Sequence, residues 1–110
     1  MGKFVITKRK NGEFQFNLKA SNGQIILASE GYSSKAGCLN GIESVKTNSQ
    51  NDNRFESKIS TNGKFHFNLK ASNGQIIGTS EMYESKAACE NGIASVKTNG
   101  KDSETLDQTT

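Results

Sequence analysis

The chain has 110 residues, 32% of them hydrophobic, with six Phe, two Tyr, no Trp and no Pro, and a net charge of +3. That length suits one domain, because halves of about 50 residues would bury too little surface alone to offset the entropy of ordering them. The balance of 14 basic against 11 acidic residues falls short of a dedicated nucleic-acid binder, and no stretch approaches the roughly 20 apolar residues of a membrane span.

At the start of the chain, MGKFVITKRK puts no apolar run behind its charges, and Ile6 stands where a myristoylation signal needs Ser or Thr. A soluble cytoplasmic protein is expected. Phe4 and Ile6 alternate as a first strand does, Asn11-Gly12 marks a turn, and Phe14, Phe16 and Leu18 alternate as a second strand. Asn22-Gly23 marks the next turn, ahead of a third strand over Gln24-Ile25-Ile26-Leu27. Asn-Gly tolerates the positive φ angles of a type I′ turn, so tight hairpins are expected. The period then changes to 3.6. Cys38, Ile42 and Val45 share one helical face, Ser34 is placed to cap the helix, and Asn48 to end it. Gly41 lies mid-helix, where Gly costs about 1 kcal/mol relative to Ala, and this points to close helix-to-sheet contact.

The pattern then repeats. FNLKASNGQII occurs at Phe16–Ile26 and again at Phe67–Ile77, and aligning residue i with i+51 over Phe4–Asn48 gives 30 identical pairs of 45 without a gap. Phe55, Ser57 and Ile59 read as the matching first strand, and Asn62-Gly63 and Asn73-Gly74 as the matching turns. Phe65, Phe67 and Leu69 repeat the second strand and Gln75-Ile76-Ile77 the third. Ser85, then Cys89, Ile93 and Val96, repeat the capped helix, with Gly92 mid-helix and Gly100 placed to close it in the left-handed conformation. Identity is uneven: over residues 4–10 only Phe4 has an identical counterpart, Phe55, so the first strand has drifted. The tail, residues 101–110, is polar and outside the repeat, and disorder is expected.

Adjacent Ile side chains in the third strands point to opposite faces of a sheet, so both faces need apolar cover. One helix per repeat covers one face, and the other repeat is expected to meet the second. The fold class is α+β: tandem β3α repeats (β-β-β-α-β-β-β-α) related by a pseudo-twofold, antiparallel meanders each packed by one helix. Residues 1–100 then form a single domain of repeat one (3–48), a linker (49–53) and repeat two (54–99). The chain is expected to be a monomer, a homodimer joined into one polypeptide.

The pattern F-x-F-N-L-K-A-S-N-G-Q-I-I, S-E-G-Y-S-S-K-A and N-G-I-E-S-V, with its second copy S-E-M-Y-E-S-K-A and N-G-I-A-S-V, closely resembles the YegP-type family of small bacterial proteins. The resemblance covers residues 3–99. It implies a bacterial source and an α+β fold of β3α repeats, single-repeat members pairing as dimers. It implies no activity and assigns no residue a role.

The residues themselves offer little chemistry. His66, the only histidine, alternates outward between Phe65 and Phe67 and has no partner for catalysis, with Gln15 at its counterpart. Cys38 and Cys89 lie on apolar helix faces without metal-ligand spacing, and read as buried thiols acting as small hydrophobes. No catalytic residue, cofactor or metal is expected. A small ligand would find hydroxyls, a phenol and an amine at Tyr32, Ser34 and Lys35 and again at Tyr83, Ser85 and Lys86, each set leading into a helix N-terminus. Phosphate contacts would come from Lys8, Arg9 and Lys10 with Lys19 and Lys70, although no aromatics interleave with them for base stacking. Three readings follow: a non-enzymatic interaction module with an unidentified partner, a weak nucleic-acid-associated protein, or a small-ligand protein or enzyme at the Tyr segments. The poor catalytic inventory favours the first.

Overall fold

Period-two alternation builds the strands and period 3.6 the helices in the order the sequence sets. In the computed structural model, which describes residues 2–109, β1 (Lys3–Lys8), β2 (Phe14–Lys19) and β3 (Ile25–Ala28) lead into α1 (Lys35–Asn48). A short 3₁₀ turn at Asp52–Arg54 then opens β4 (Phe55–Ile59), β5 (Phe65–Lys70), β6 (Ile76–Thr79) and α2 (Lys86–Asp102). A last strand, β7 (Glu104–Asp107), follows the second helix. The seven strands make one sheet in the order β4-β5-β6-β3-β2-β1-β7. Both helices cross the same face and touch each other; α1 packs on β2 and on β5 and β6 of the other repeat, and α2 reciprocates on β5, β2 and β3. Phe4, Ile6, Phe16, Leu18, Leu27, Phe67 and Leu69 are fully buried between sheet and helices. Each such side chain contributes about 1.5–3 kcal/mol to burial.

The hairpins differ from the type I′ turns expected. Arg9 N–H donates to Glu13 O and Gly12 N–H to Arg9 O, and the same pair of bonds closes the loops after Ala20, Ser60 and Ala71. These are three-residue loops, a type I turn followed by one left-handed residue. Gly12, Gly23, Gly63 and Gly74 supply that residue with φ between 83° and 89°, and no Asn has a positive φ. The Asn serves through its side chain instead: the Oδ1 atoms of Asn11, Asn22, Asn62 and Asn73 accept from the backbone N–H two residues ahead.

The repeats join edge to edge. β3 and β6 meet through the bridged pair Ala28 and Thr79, positions 51 residues apart and therefore equivalent, so the pseudo-twofold axis passes between them. Ile26 and Leu27, though adjacent, are both buried in the single core, as is Ile77. The register shifts between Leu18 and Lys19, and between Leu69 and Lys70, and these bulges re-aim neighbouring side chains. The Ile pairs therefore mark a bulge, and the second face is not covered by the other repeat.

Three further expectations give way. Gly100 does not close α2; it is helical, and a Cβ there would come within 2.7 Å of Ser49 Oγ, so it is Gly because the helices approach closely. The tail from Lys101 is structured to Thr109: α2 runs to Asp102, and β7 pairs in parallel with β1 from Lys3↔Glu104 to Ile6↔Asp107. Its polar composition suits an edge strand, whose partner is supplied by the sheet rather than by its own apolar content. Ile59 does not continue the core face, being 69% exposed where β4 forms the opposite, unpaired edge.

At the axis Leu27 occupies the space of its own equivalent. A Cβ at Gly78 would lie 2.7 Å from Leu27 Cγ. Gly78→Leu is expected to destabilise the chain by about 1–3 kcal/mol through overpacking, and the double variant Leu27→Gly, Gly78→Leu to recover most of the combined single losses. Urea unfolding of the four proteins measures the coupling, and additive single effects would show that the two positions do not share one space.

Candidate functional site

The two strand-to-helix connections are built alike. Ser29 is buried, its N–H donates to Phe16 O, and its Oγ accepts from Phe16 N–H at 2.8 Å while donating to Glu30 O; Ser80 does the same for Phe67 and Glu81. Tyr32 and Phe14 exchange both backbone hydrogen bonds, as do Tyr83 and Phe65. The Tyr32 ring stacks on Phe16 at 6.2 Å and Tyr83 on Phe67 at 6.4 Å. Each phenol then lies over a helix glycine, where a Cβ on Gly41 or Gly92 would come within 2.8 or 2.7 Å of the ring Cζ. The mid-helix glycines are thus explained: they let a tyrosine wedge between helix and sheet.

This architecture occupies most of the expected ligand groups. Ser34 Oγ accepts from Gly37 N–H and Ser85 Oγ from Ala88 N–H, so both hydroxyls are helix caps. Burial, then the neighbouring thiol and Glu30, push the Tyr32 phenol above its usual range; burial, then Glu81 and Cys89, do so for Tyr83. Both phenols are held as neutral hydroxyls. Burial likewise raises the Cys38 thiol, with Asp107 adding to it, and the Cys89 thiol, against a hydrogen bond from Ser57 that lowers it. Neither free cysteine is activated as a nucleophile. Among the described residues no three His, Cys, Asp or Glu side chains gather into a metal-ligating group, and no helix is long and apolar enough to cross a membrane.

The two lysines at the helix starts differ. Lys35 Nζ is 2.7 Å from Asp107 Oδ2 of β7. Lys86, its equivalent, has no carboxylate within ion-pair distance among the described residues and lines a groove of about 250 Å³ with Ser57, Lys58, Ile59, Phe65, Cys89 and Glu90. A second hollow lies against Phe55, Glu90, Ile93 and Lys97. Both flank the unpaired edge of β4.

The basic residues do not form one patch. Lys8 lies over the Phe14 ring at 5.4 Å, and Arg9 is held by Glu13 and by Gln15 Oε1. Lys70 pairs with Glu56 at 3.2 Å and, with Lys58, holds that carboxyl below its usual range. Lys10 is exposed and Lys19 half-buried, at opposite ends of the first hairpin. Lys19 and Lys70 are the last residues of two strands that run antiparallel three positions apart, so they lie at opposite ends of the sheet. His66 is half-buried opposite Lys58, with its Nδ1 unpartnered. Sequence reasoning missed the edge residues Ser57, Ile59 and Glu90. Their signal was the drift between copies: Ile6, Lys8 and Leu39 hold the equivalent places.

The tail is anchored by charge. Lys35, then the hydroxyl and N–H of Thr109, hold the Asp107 carboxyl down to about 2 from an ordinary 3.8. A depressed carboxylate favours the docked state, so this contribution is complete above the ordinary value and is lost as pH falls towards about 2. In a pH titration followed by amide shifts, β7 is expected to loosen across that window while β2 stays unchanged. Lys35→Ala should move the Asp107 midpoint up towards its ordinary value; an unmoved midpoint would contradict the pairing.

The similar proteins described next carry names that assign no activity. A family model described as a domain of unknown function (DUF1508) matches twice, at residues 10–56 and 60–107, one match per repeat. The UPF0339 protein in the ptx operon 5′ region of Stutzerimonas stutzeri is 55% identical over 106 residues, 96% of each chain. The solution structure of the protein of unknown function YegP from E. coli superposes with a TM-score of 0.94 at 50% identity, covering 98% of this chain and 93% of that one. The UPF0339 protein of known solution structure from Shewanella oneidensis gives 0.93 at 52% identity, covering 98% and 92%. With both repeats matched and the whole fold shared, this chain belongs to the DUF1508 family, the YegP-type UPF0339 proteins, as a two-repeat member.

Proposed function

We propose that the protein is a non-enzymatic interaction module, a cytoplasmic monomer that presents the β4 edge to another polypeptide. The observation that carries this reading is the difference between the two sheet edges: β1 is covered by β7, whereas β4 is uncovered beside a groove and an exposed Ile59. An open row of backbone donors and acceptors is a template for an added strand, and main-chain bonds plus side-chain pockets are how such additions gain affinity and selectivity. The connection chemistry supports the same reading from the other side, since its hydroxyls cap helices and its phenols and thiols are kept protonated. Two free buried thiols suit a reducing compartment. The covalent joining of both repeats supplies each half's partner, which suits a monomer.

Selection of a displayed random-peptide library on the intact chain tests this. Enriched peptides that lose binding to an Ile59→Asp variant are expected, because the exposed side chain lies outside the core and its replacement leaves the fold intact. Enrichment of nothing, or only of peptides indifferent to Ile59→Asp, would overturn the reading. Oligonucleotide binding that falls steeply with salt and maps to Lys10 and Lys19 would replace it with phosphate recognition.

A further inference from the structure

The chain contains its own template for what the open edge takes. Shifting β1 by 51 residues gives β4: Lys3, Phe4, Val5 and Ile6 correspond to Arg54, Phe55, Glu56 and Ser57. On β1 lies β7, parallel, with Thr105 beside Phe4, Leu106 beside Val5 and Asp107 beside Ile6. Asp107 reaches the helix side of the sheet, where it meets Lys35 at 2.7 Å and raises the Cys38 thiol. The equivalents of those three neighbours are Ser57, Lys86 and Cys89, and all three line the groove at the β4 edge. The equivalent of Phe4, against which Thr105 sits, is Phe55, which lines the second hollow. The two hollows therefore stand at the two helix-facing positions of a strand that β4 lacks.

Resting on the interaction reading above, we infer that the β4 edge binds an extended peptide added parallel to β4, with a carboxylate against Lys86 and Ser57. The backbone frame is the one β7 uses: Gln108 N–H donates to Ile6 O at 3.0 Å, and Ser57 O is the equivalent acceptor on the open edge. Charge selects the occupant. Lys86 lines the groove without a carboxylate at ion-pair distance among the described residues, Lys58 being paired with Glu56 at 3.6 Å, and Glu90 stands where repeat one has Leu39. Arg54 stands at the place of Lys3, whose ammonium lies 4.0 Å from Glu104, but its Nε donates to Asn48 Oδ1 at 3.1 Å, so the selecting charge is that of Lys86. An acidic residue is thus favoured at the place of Asp107, against Lys86.

The middle position separates this peptide from the chain's own tail. Leu106 packs beside the buried Val5, but β4 offers there the Glu56 carboxylate already paired with Lys70 at 3.2 Å and Lys58 at 3.6 Å, so an uncharged polar residue replaces leucine in the favoured occupant. A second copy's β7 would bring Leu106 against that carboxylate. The partner is accordingly a different polypeptide, carrying a β-branched, uncharged polar, acidic sequence in extended form. Thr at the β-branched position matches Thr105, and Thr two residues after the acid supplies the N–H and hydroxyl that Thr109 gives Asp107.

The probe is the amidated hexapeptide Glu-Thr-Gln-Asp-Gln-Thr, residues 104–109 of this chain with Leu106→Gln. Added to the labelled intact protein, it is expected to shift the amides of Phe55–Ile59 and the first turn of α2, leaving β7 in place. Lys86→Glu should weaken binding about fivefold, the ratio one exposed ion pair carries, and a peptide with Lys in place of its Asp should recover it. No shift on β4, shifts on β1 with release of β7, or equal binding to Lys86→Glu would each overturn the inference. So would concentration-dependent shifts on β4 without peptide, which would assign the edge to a second copy. If display selection still returns Ile59-dependent peptides while this probe fails, the interaction reading stands and the acidic-strand assignment falls; if both fail, both fall.

Discussion

Where a pseudo-twofold axis runs through a protein, equivalent residues meet, and they compete for one space. At the seam between β3 and β6 that space is filled by Leu27, and its equivalent Gly78 has no side chain to contest it. The helices repeat the solution at their C-terminal ends, where buried Ser49 faces its own equivalent, Gly100. The third such pair, Ala28 and Thr79, is bridged through the backbone, and the larger partner turns its size to use: Thr79 Oγ1 donates to Asn68 Oδ1 at 2.9 Å. A true homodimer must place the same residue on both sides of its axis. Joining the copies in one chain removes that restriction, and the continuous sheet and the touching helices both depend on the difference.

Covalent joining also makes the sheet edges unequal. The segment leaving α1 must travel on to β4, and it does so as a short helical turn tied down by Gln50 on Lys97 O and by the ion pair of Asp52 with Lys97. The segment leaving α2 instead turns back and lies along β1 as β7. One edge is therefore closed by β7 while the other stays open. The closing strand brings little apolar area, since Leu106 is 43% exposed, and it is held by main-chain bonds and by Lys35. A strand held so largely by its backbone and one carboxylate is also the kind that an unrelated chain can imitate.

The interior was legible in the sequence because its signals are periodic and local. Phe14, Phe16 and Leu18 name their face by alternation, Cys38, Ile42 and Val45 by helical spacing, and Ser34 and Ser85 cap where a hydroxyl precedes each run. What escaped was decided by neighbours distant in sequence. The bulges at Lys19 and Lys70 depend on cross-strand register, so the adjacent Ile residues read as two covered faces when only one core exists. The turn type depended on loop closure, and Asn-Gly served a three-residue loop as well as it would a two-residue one. The tail looked disordered because its own composition cannot build a core; β1 supplies its partner. At the candidate site, the connection residues were found by composition, but their work as caps and wedges is a tertiary property. The open edge was missed because Phe55, Ser57 and Ile59 alternate like any strand.

The internal duplication nevertheless carried the site in a different form. Where the two copies share an environment they share residues: from Phe16 to Ile26 every position has an identical counterpart 51 residues on. Where the environments differ, the residues differ, at the seam (Leu27 and Gly78, Ala28 and Thr79) and along the outer strands (Val5 and Glu56, Ile6 and Ser57, Lys8 and Ile59). Divergence at the seam has a packing cause, since two equal side chains would collide. Divergence at the edge has a solvent cause at Ile6 and Val5, which are buried beside β7 on one side and correspond to polar Ser57 and Glu56 on the other. Solvent does not explain Ile59. Exposure should favour the charged residue that repeat one keeps as Lys8, and an exposed isoleucine beside an unpaired backbone invites unwanted association unless something covers it. Of the outer-strand differences, that is the one which runs against exposure, and it lies on the rim of the groove that Lys86 enters.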